Sequence, residues 1–556
     1  EQQFEVYRKT TDEAQRKAIY HVIDSLSYEA SKYAIPNEYD KLMAAIGANG
    51  TNAYTSFDVT CYTEDIPSNQ VENWAKIQAD RFKNSIIRGF HTELETVYEE
   101  KNMSLTQDPR KVSETMLAAL FPHHPYGTQT VLGTQDDLKN PSITNIKNYY
   151  KTWYVPNNMA ICLSGDFNPD EMIATIDKYF GDMKPNPNLP KLTVKPETPI
   201  TEPIVREVLG PDAESVTLAW RFPGSASKEY ETLQIVSQIM NNGKAGLMDI
   251  NLNQQQKVLG AYVYNLSDYC AFIMQGRTKE GQTLDEVKDL FLGEIAKLKS
   301  GDFDENMLQA NINNFKKYQI QQLEYNSIRA DMFVQSFVNG TDWADEVTAL
   351  ERMSKLTKAD IVAFANKYFT DSNYAIIYKK TGKDPNEKKI SKPEITPIVM
   401  NRDAASNFLK EVQGSKVQPI EPVFIDYNKD MDQFAWNKDV PVLYKQNTTN
   451  DLFYLRYIFE MGNNNDKKLG TAAQYLRFLG TSDMTLEQLN SKFYGLACSF
   501  NVSPGDDRTY ITLSGLNENL PQAIELFEKI LADAQPDKTA YDNMVKNILK
   551  SRTDAK

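Results

Sequence analysis

The stretches SITNIKNYYKTWYVPNNMAICLSG, Ser142 to Gly165, and TKADIVAFANKYFTDSNYAIIYKK, Thr357 to Lys380, decide the fold because they are two copies of one pattern. Each opens on a hydroxyl residue placed to cap a helix (Ser142, Thr357) and continues through an aromatic-rich helical run. Each then passes an asparagine (Asn158, Asn373) and enters an apolar strand through Ala-Ile (Ala160-Ile161, Ala375-Ile376). The offset is a constant 215 positions, with Ile146 matching Ile361. A second echo links 486–530 to 38–77: both read helix, glycine, strand, turn, strand, helix. Two such echoes indicate internal duplication. Helices and strands that do not strictly alternate point to an α+β class, here repeated domains of antiparallel sheet covered by helices.

Two breaks set the expected domain limits. Residues 184–203 carry six prolines and no periodicity, which reads as an extended linker. A second linker is expected over 381–422, around TGKDPNEKKISKPEITP and GSKVQPIEP. The domains are then 1–183, 204–380 and 423–556, the first and last incomplete. The chain opens on Glu1 inside a polar helical run and stops at Lys556 near the end of another, so it reads as an internal piece of a longer protein.

Bulk properties exclude several functions. A net charge of −14 over 556 residues argues against a nucleic-acid partner, whose phosphates need clustered Lys and Arg. No apolar run is long enough to cross a membrane. The four cysteines are far apart, form no C-x-x-C pair and read as small apolar residues.

Within the first block, apolar spacing predicts helices over 3–33 and 37–46, closed by Gly47 and Gly50, then a strand in TNAYTSFDVTCYTEDI, Thr51 to Ile66. Asn69 with Glu72 predicts a capping box for a helix to about Ile87. Next comes an acidic helix, about 91–106, in FHTELETVYEEKN, and another over 111–120. On the acidic helix Glu93 and Glu100 are seven residues apart, about 700° of rotation, so they share a face roughly 10.5 Å apart. Spacing alone reads this as a solvated surface. His21 opens HVIDS, which has Ser25 where a second histidine would be needed, and is read as an ordinary helical residue. His123 and His124 are adjacent in a Pro-flanked loop and are read as structuring it.

The segment ELETVYEEKNMSLTQDP resembles the distal-glutamate helix of the pitrilysin/insulinase (M16-type, inverted zinc-motif) metallopeptidases. AIGANGTNAYTSFDVTCYTEDIP, HPYGTQTVLGTQDDL, YYKTWYVPNNMAICLSGDFNPDEM, LAWRFPG and ITLSGLNENLPQAIELF are similar to other parts of that family, in the same order over nearly the whole chain. GTAAQYLRFLGTSDM, from Gly470, is similar to the motif-bearing helix but has no histidine, as in the silent half of the long bacterial form. The resemblance implies a zinc endopeptidase that hydrolyses peptides in a chamber between two halves. It implies Glu100 as a zinc ligand, Glu93 as a nearby acid, and Asn52, Ala53 and Tyr54 as the edge strand that binds peptide substrate. It also suggests a bacterial cell-envelope location, and as partners the rest of the same polypeptide, an upstream motif helix and a fourth domain.

The chain departs from the family in one respect: it holds no H-x-x-E-H, the motif that supplies two histidine ligands and the general base. Either that motif lies upstream of Glu1, or the parent is a metal-free homologue acting as a non-catalytic, peptide-binding partner or scaffold. The chain taken alone is expected to be inactive.

Overall fold

The computed structural model describes residues 1–191, 193–265, 269–385 and 394–555. The duplication read from the sequence is present in the helix caps. Helix Ile143–Trp153 is capped by Ser142 and helix Lys358–Tyr368 by Thr357, each side chain accepting a backbone N–H three residues on. Asn158 Nδ2 donates to the Trp153 carbonyl at 3.0 Å, and Asn373 Nδ2 to the Tyr368 carbonyl at 2.8 Å. The same asparagine therefore closes the same helix end in both copies. After that point the copies diverge. Ala375-Ile376 lies buried in strand Tyr374–Thr381, whereas Ala160-Ile161 is exposed and outside any strand. The strand of the second copy is flanked on both sides by others, and 159–164 pairs with no strand among the described residues.

The second echo holds element by element. Glu38–Ala45, Asn49–Thr55, Thr60–Asp65, a short 3-10 turn at Ser68–Gln70 and Val71–Lys83 match Leu486–Gly495, Cys498–Pro504, Thr509–Leu516, a 3-10 turn at Asn517–Asn519 and Leu520–Asp533. The 3-10 turn displaces the capping box expected at Asn69. Instead Asn69 Nδ2 donates to the Gln418 carbonyl, and Glu72 pairs with Lys178. The helix predicted over 3–33 is two, Gln2–Lys9 and Glu13–Ser31. Asp12 caps the second, accepting from Gln15 N at 2.9 Å, because two β-branched threonines and an aspartate favour a break.

The second block is built on a five-stranded sheet. In spatial order its strands are Ile204–Gly210, Tyr374–Thr381, Ser215–Arg221, Ala271–Arg277 and Gly260–Asn265. All neighbouring pairs are antiparallel except the first, which is parallel and so departs from the expected antiparallel sheet. That edge strand follows the Pro-rich linker, and more than 150 residues separate it from its partner, ample for a parallel return. One face packs Trp220, Phe272, Phe291 and Phe369 under helices Lys228–Met240, Leu284–Ser300 and Lys358–Tyr368. The other face is covered by a helix of the first block, Asp108–Leu120. Its Val112, Met116 and Leu120 lie on Ala219, Ala271 and Ala375, whose small side chains let it approach. Pro109 opens this helix, where its missing N–H has no intrahelical partner to lose.

At this junction Lys379 Nζ lies 2.9 Å from Asp108 Oδ2, and each residue is 2% exposed. Asp212 N donates to the same oxygen at 2.8 Å. Gly210 sits against the carboxylate so closely that a Cβ there would fall 1.7 Å from Asp108 Oδ1.

The third block has a three-stranded antiparallel sheet, with Leu452–Phe459 and Cys498–Pro504 flanking Thr509–Leu516, packed through Phe493, Leu513 and Phe527. It docks on helix Asn306–Gln322, where Tyr494 OH donates to Asn311 Oδ1 and Asn314 Nδ2 donates to the Tyr494 carbonyl, both at 2.7 Å.

The second expected linker is more ordered than its composition indicates, although residues 386–393 fall outside the described residues. From Thr396 the chain runs back over the first block as a strap. Asn401 Nδ2 donates to the Ala34 carbonyl at 2.9 Å, and helix Asn407–Gln413 seats Leu409 and Val412 among Leu42, Met43, Trp74 and Ile77. The strap is latched by Asp24, buried, which accepts from Thr396 N at 2.8 Å and Thr396 Oγ1 at 2.6 Å and lies 3.2 Å from His91 Nε2. Burial works against the Asp24 charge, but the Thr396 hydrogen bonds and then the His91 imidazole outweigh it and hold the carboxyl below its usual range. A depressed carboxyl contributes stability that is whole above about pH 4 and is lost as pH falls through the folded pKa. Urea unfolding of Asp24→Asn should therefore show lower stability than the parent at pH 6, with the difference shrinking as the pH is taken below about 4.

Candidate active site

Two elements carry the candidate residues. The first is the ribbon Asn49–Thr55/Thr60–Asp65, whose β-branched and aromatic alternation makes it a strand pair. Ala53 lies opposite Tyr62 and Tyr54 opposite Cys61, with an irregularity between Asn49 and Asn52. One face is anchored. The Arg81 guanidinium lies 4.2 Å from the Tyr62 ring and 4.1 Å from that of Tyr39, whose OH donates to Glu64 at 2.6 Å. Burial pushes the Tyr39 phenol up to about 12. The turn is tied down by Tyr126 OH, which donates to Asp58 Oδ2 at 2.7 Å.

The outer strand behaves differently: all seven of its residues, Asn52, Ala53 and Tyr54 included, are exposed. It pairs with Thr60–Asp65 on one side and with no other strand among the described residues. Its remaining edge presents backbone N–H and C=O groups to whatever extended chain lies alongside.

The second element is the acidic helix, Phe90–Leu105. Leu94 and Tyr98 pack it against Phe4 and Ile23 of the two leading helices, and Glu95 is buried where it accepts from Tyr20 OH at 3.1 Å. This inner face fixes the rotation of the helix. Glu93 and Glu100 consequently share the outer face, together with Thr96 and Met103, all exposed. Neither carboxylate makes a hydrogen bond or ion pair with the described residues.

The four histidines do not converge on Glu100. His21 is exposed, and His91 is committed to Asp24. His123 Nδ1 lies 3.1 Å from Glu197 Oε2, and His124 Nδ1 accepts from Tyr126 N, so both hold their loop in place. Among the described residues no group of three His, Cys, Asp or Glu is placed to hold a metal ion. These side chains therefore do not by themselves fit a zinc ion. His91 and Asp24 gave no sequence signal, since their pairing spans 67 positions and needs the strap to complete it.

Comparison with known proteins places the chain. Residues 11–134 match the insulinase (peptidase family M16) model and residues 142–315 the peptidase M16 inactive domain, together more than half of the sequence. The zinc protease PqqE of Helicobacter pylori is 23% identical over 382 residues, covering 66% of this chain and 84% of the relative. The zinc protease YmxG of Bacillus subtilis is 23% identical over 45% of this chain and 59% of its own length. In structure, a Helicobacter pylori protease superposes with a TM-score of 0.58 at 22% identity, covering 64% of this chain and 89% of its own. The periplasmic protease PqqL of Escherichia coli gives a TM-score of 0.52 at 13% identity, covering 94% of this chain and 62% of its own. The chain belongs to the pitrilysin/insulinase family of metallopeptidases, peptidase family M16.

Proposed function

We propose that this chain is the substrate-docking portion of a zinc-dependent endopeptidase that cuts extended peptides, and that Glu100 is the one metal ligand it contributes. The observation that carries the reading is the Asn49–Thr55 strand, exposed along its whole length and, among the described residues, paired with a strand on one edge only. Such an edge binds peptide main chain in register and tolerates varied sequence, as an endopeptidase requires. Glu100 supports it, as a solvent-facing carboxylate with no cation among the described residues to neutralise it. A catalytic zinc takes three protein ligands, commonly two imidazoles and a carboxylate, and keeps a position open. The two imidazoles and the general base come from outside residues 1–556, so the chain alone does not hydrolyse peptides. Glu93, on the same face, serves as an acid beside the ligand. The cell-envelope location rests on likeness to bacterial relatives, one of them described as periplasmic.

The test is metal analysis of the full-length protein with peptide cleavage before and after chelation. One equivalent of zinc and chelator-sensitive cleavage are expected, with neither in the 556-residue chain. A full-length protein that binds peptides but holds no zinc would overturn the enzymatic reading in favour of a non-catalytic partner or scaffold subunit.

A further inference from the structure

The second block reaches the ribbon through helix Asn326–Asn339. Asp331 on that helix accepts a hydrogen bond from Tyr54 OH at 3.1 Å, and Arg329 Nε donates to Ser164 Oγ at 2.9 Å. The rest of the Arg329 guanidinium donates to the Leu323 carbonyl and Asn326 Oδ1, back along its own chain. It is thus engaged away from Asp331, and no described Lys, Arg or His forms an ion pair with that carboxylate. A tyrosine hydroxyl satisfies one oxygen of Asp331 and leaves its charge unbalanced.

The ribbon's register shows which face this charge serves. Tyr54 lies opposite Cys61, so both side chains stand on one face, and Ala53 and Tyr62 stand on the other, against Arg81. Burial, then the neighbouring Cys61 and Asp331, push the Cys162 thiol up. An added peptide strand would lie about 4.8 Å from Asn49–Thr55, with every second side chain on the Tyr54 face. A lysine or arginine there has a stem about as long as the tyrosine that already reaches Asp331.

Taking the Asn49–Thr55 edge as the substrate strand, we propose that Asp331 selects a lysine or arginine side chain in the peptide residue seated beside Tyr54, so that the site takes basic extended peptides. The net charge of −14 acts in the same sense at longer range, drawing cationic chains toward the protein.

The experiment measures anisotropy of labelled extended peptides with the 556-residue chain. Four peptides are compared: one with a central lysine, one with norleucine in its place, one with glutamate in its place, and the lysine peptide N-methylated on alternate backbone nitrogens. The lysine peptide should bind about three- to fivefold tighter than the norleucine peptide at low salt, the size of a partly exposed ion pair. N-methylation should abolish binding. Asp331→Asn should remove the lysine preference, and Asp331→Lys should reverse it in favour of a glutamate peptide. Equal binding of lysine and norleucine peptides, or a lysine preference that survives D331N, overturns the role of Asp331. With N-methylation still blocking, that result leaves the edge reading standing. Binding indifferent to N-methylation, or no binding at all, overturns the edge reading and Asp331's role with it.

Discussion

Asp108→Ala should lower the stability of this chain by about 3–5 kcal/mol, the cost of stranding a buried charge whose partner is gone. Lys379 is 2% exposed, and its ammonium is held by Asp108 Oδ2 at 2.9 Å together with the Gly210 and Asp212 carbonyls. Removing the carboxylate leaves that ammonium desolvated and also frees Asp212 N, which bonds to the same oxygen. Lys379→Met should be costly as well, yet the double variant should regain most of the loss, because two apolar side chains need no partner. Urea unfolding of the four proteins gives the coupling, and a value below about 0.5 kcal/mol would show that the pair acts independently. Gly210→Ala should mimic the single variants, since its Cβ would occupy the carboxylate's place. The pair fastens a first-block helix to the sheet of the second block. The single variants should therefore also split one cooperative unfolding transition into two.

Glu100→Gln in the full-length protein should have the larger functional effect. Groups that merely orient a metal ligand change affinity or activity by about 10- to 100-fold, so loss of a ligand should exceed that, with zinc lost and cleavage falling more than about 100-fold. Glu93→Gln should fall within the smaller range. In the 556-residue chain the same E100Q change should leave stability within about 0.5 kcal/mol, because the side chain is exposed and has no partner among the described residues. Retention of stoichiometric zinc by full-length E100Q would remove Glu100 from the metal site.

The legible features in this sequence are local ones. Ser142 and Thr357 cap the helices expected of them, and the alternating stretch 51–66 does form strand, as the pair Asn49–Thr55 and Thr60–Asp65. The seven-residue spacing of Glu93 and Glu100 does put them on one face, because helix geometry alone sets it. What escaped was decided by distant partners. Nothing near Asp24 announces Thr396, 372 positions away, and nothing near Tyr54 announces Asp331, 277 positions away. The composition of 394–418 reads as linker, yet Leu409 and Val412, with Ala405 and Phe408 beside them and hydrogen bonds at Thr396 and Asn401, seat it. The Ala160-Ile161 strand was expected from its twin, and the twin is a strand because flanking strands hydrogen-bond it.

The strap has a mechanical corollary. Its last attachments are Ser415, whose hydroxyl accepts from Asn73 Nδ2, and Gln418, whose carbonyl accepts from Asn69 Nδ2. The backbone next enters a strand at Asp432. The intervening 419–431 leash, pulled taut at about 3.4 Å per residue, spans roughly 45 Å. Any swinging of the third block away from the others is limited by that length, and the strap's buried leucine and valine must take the load.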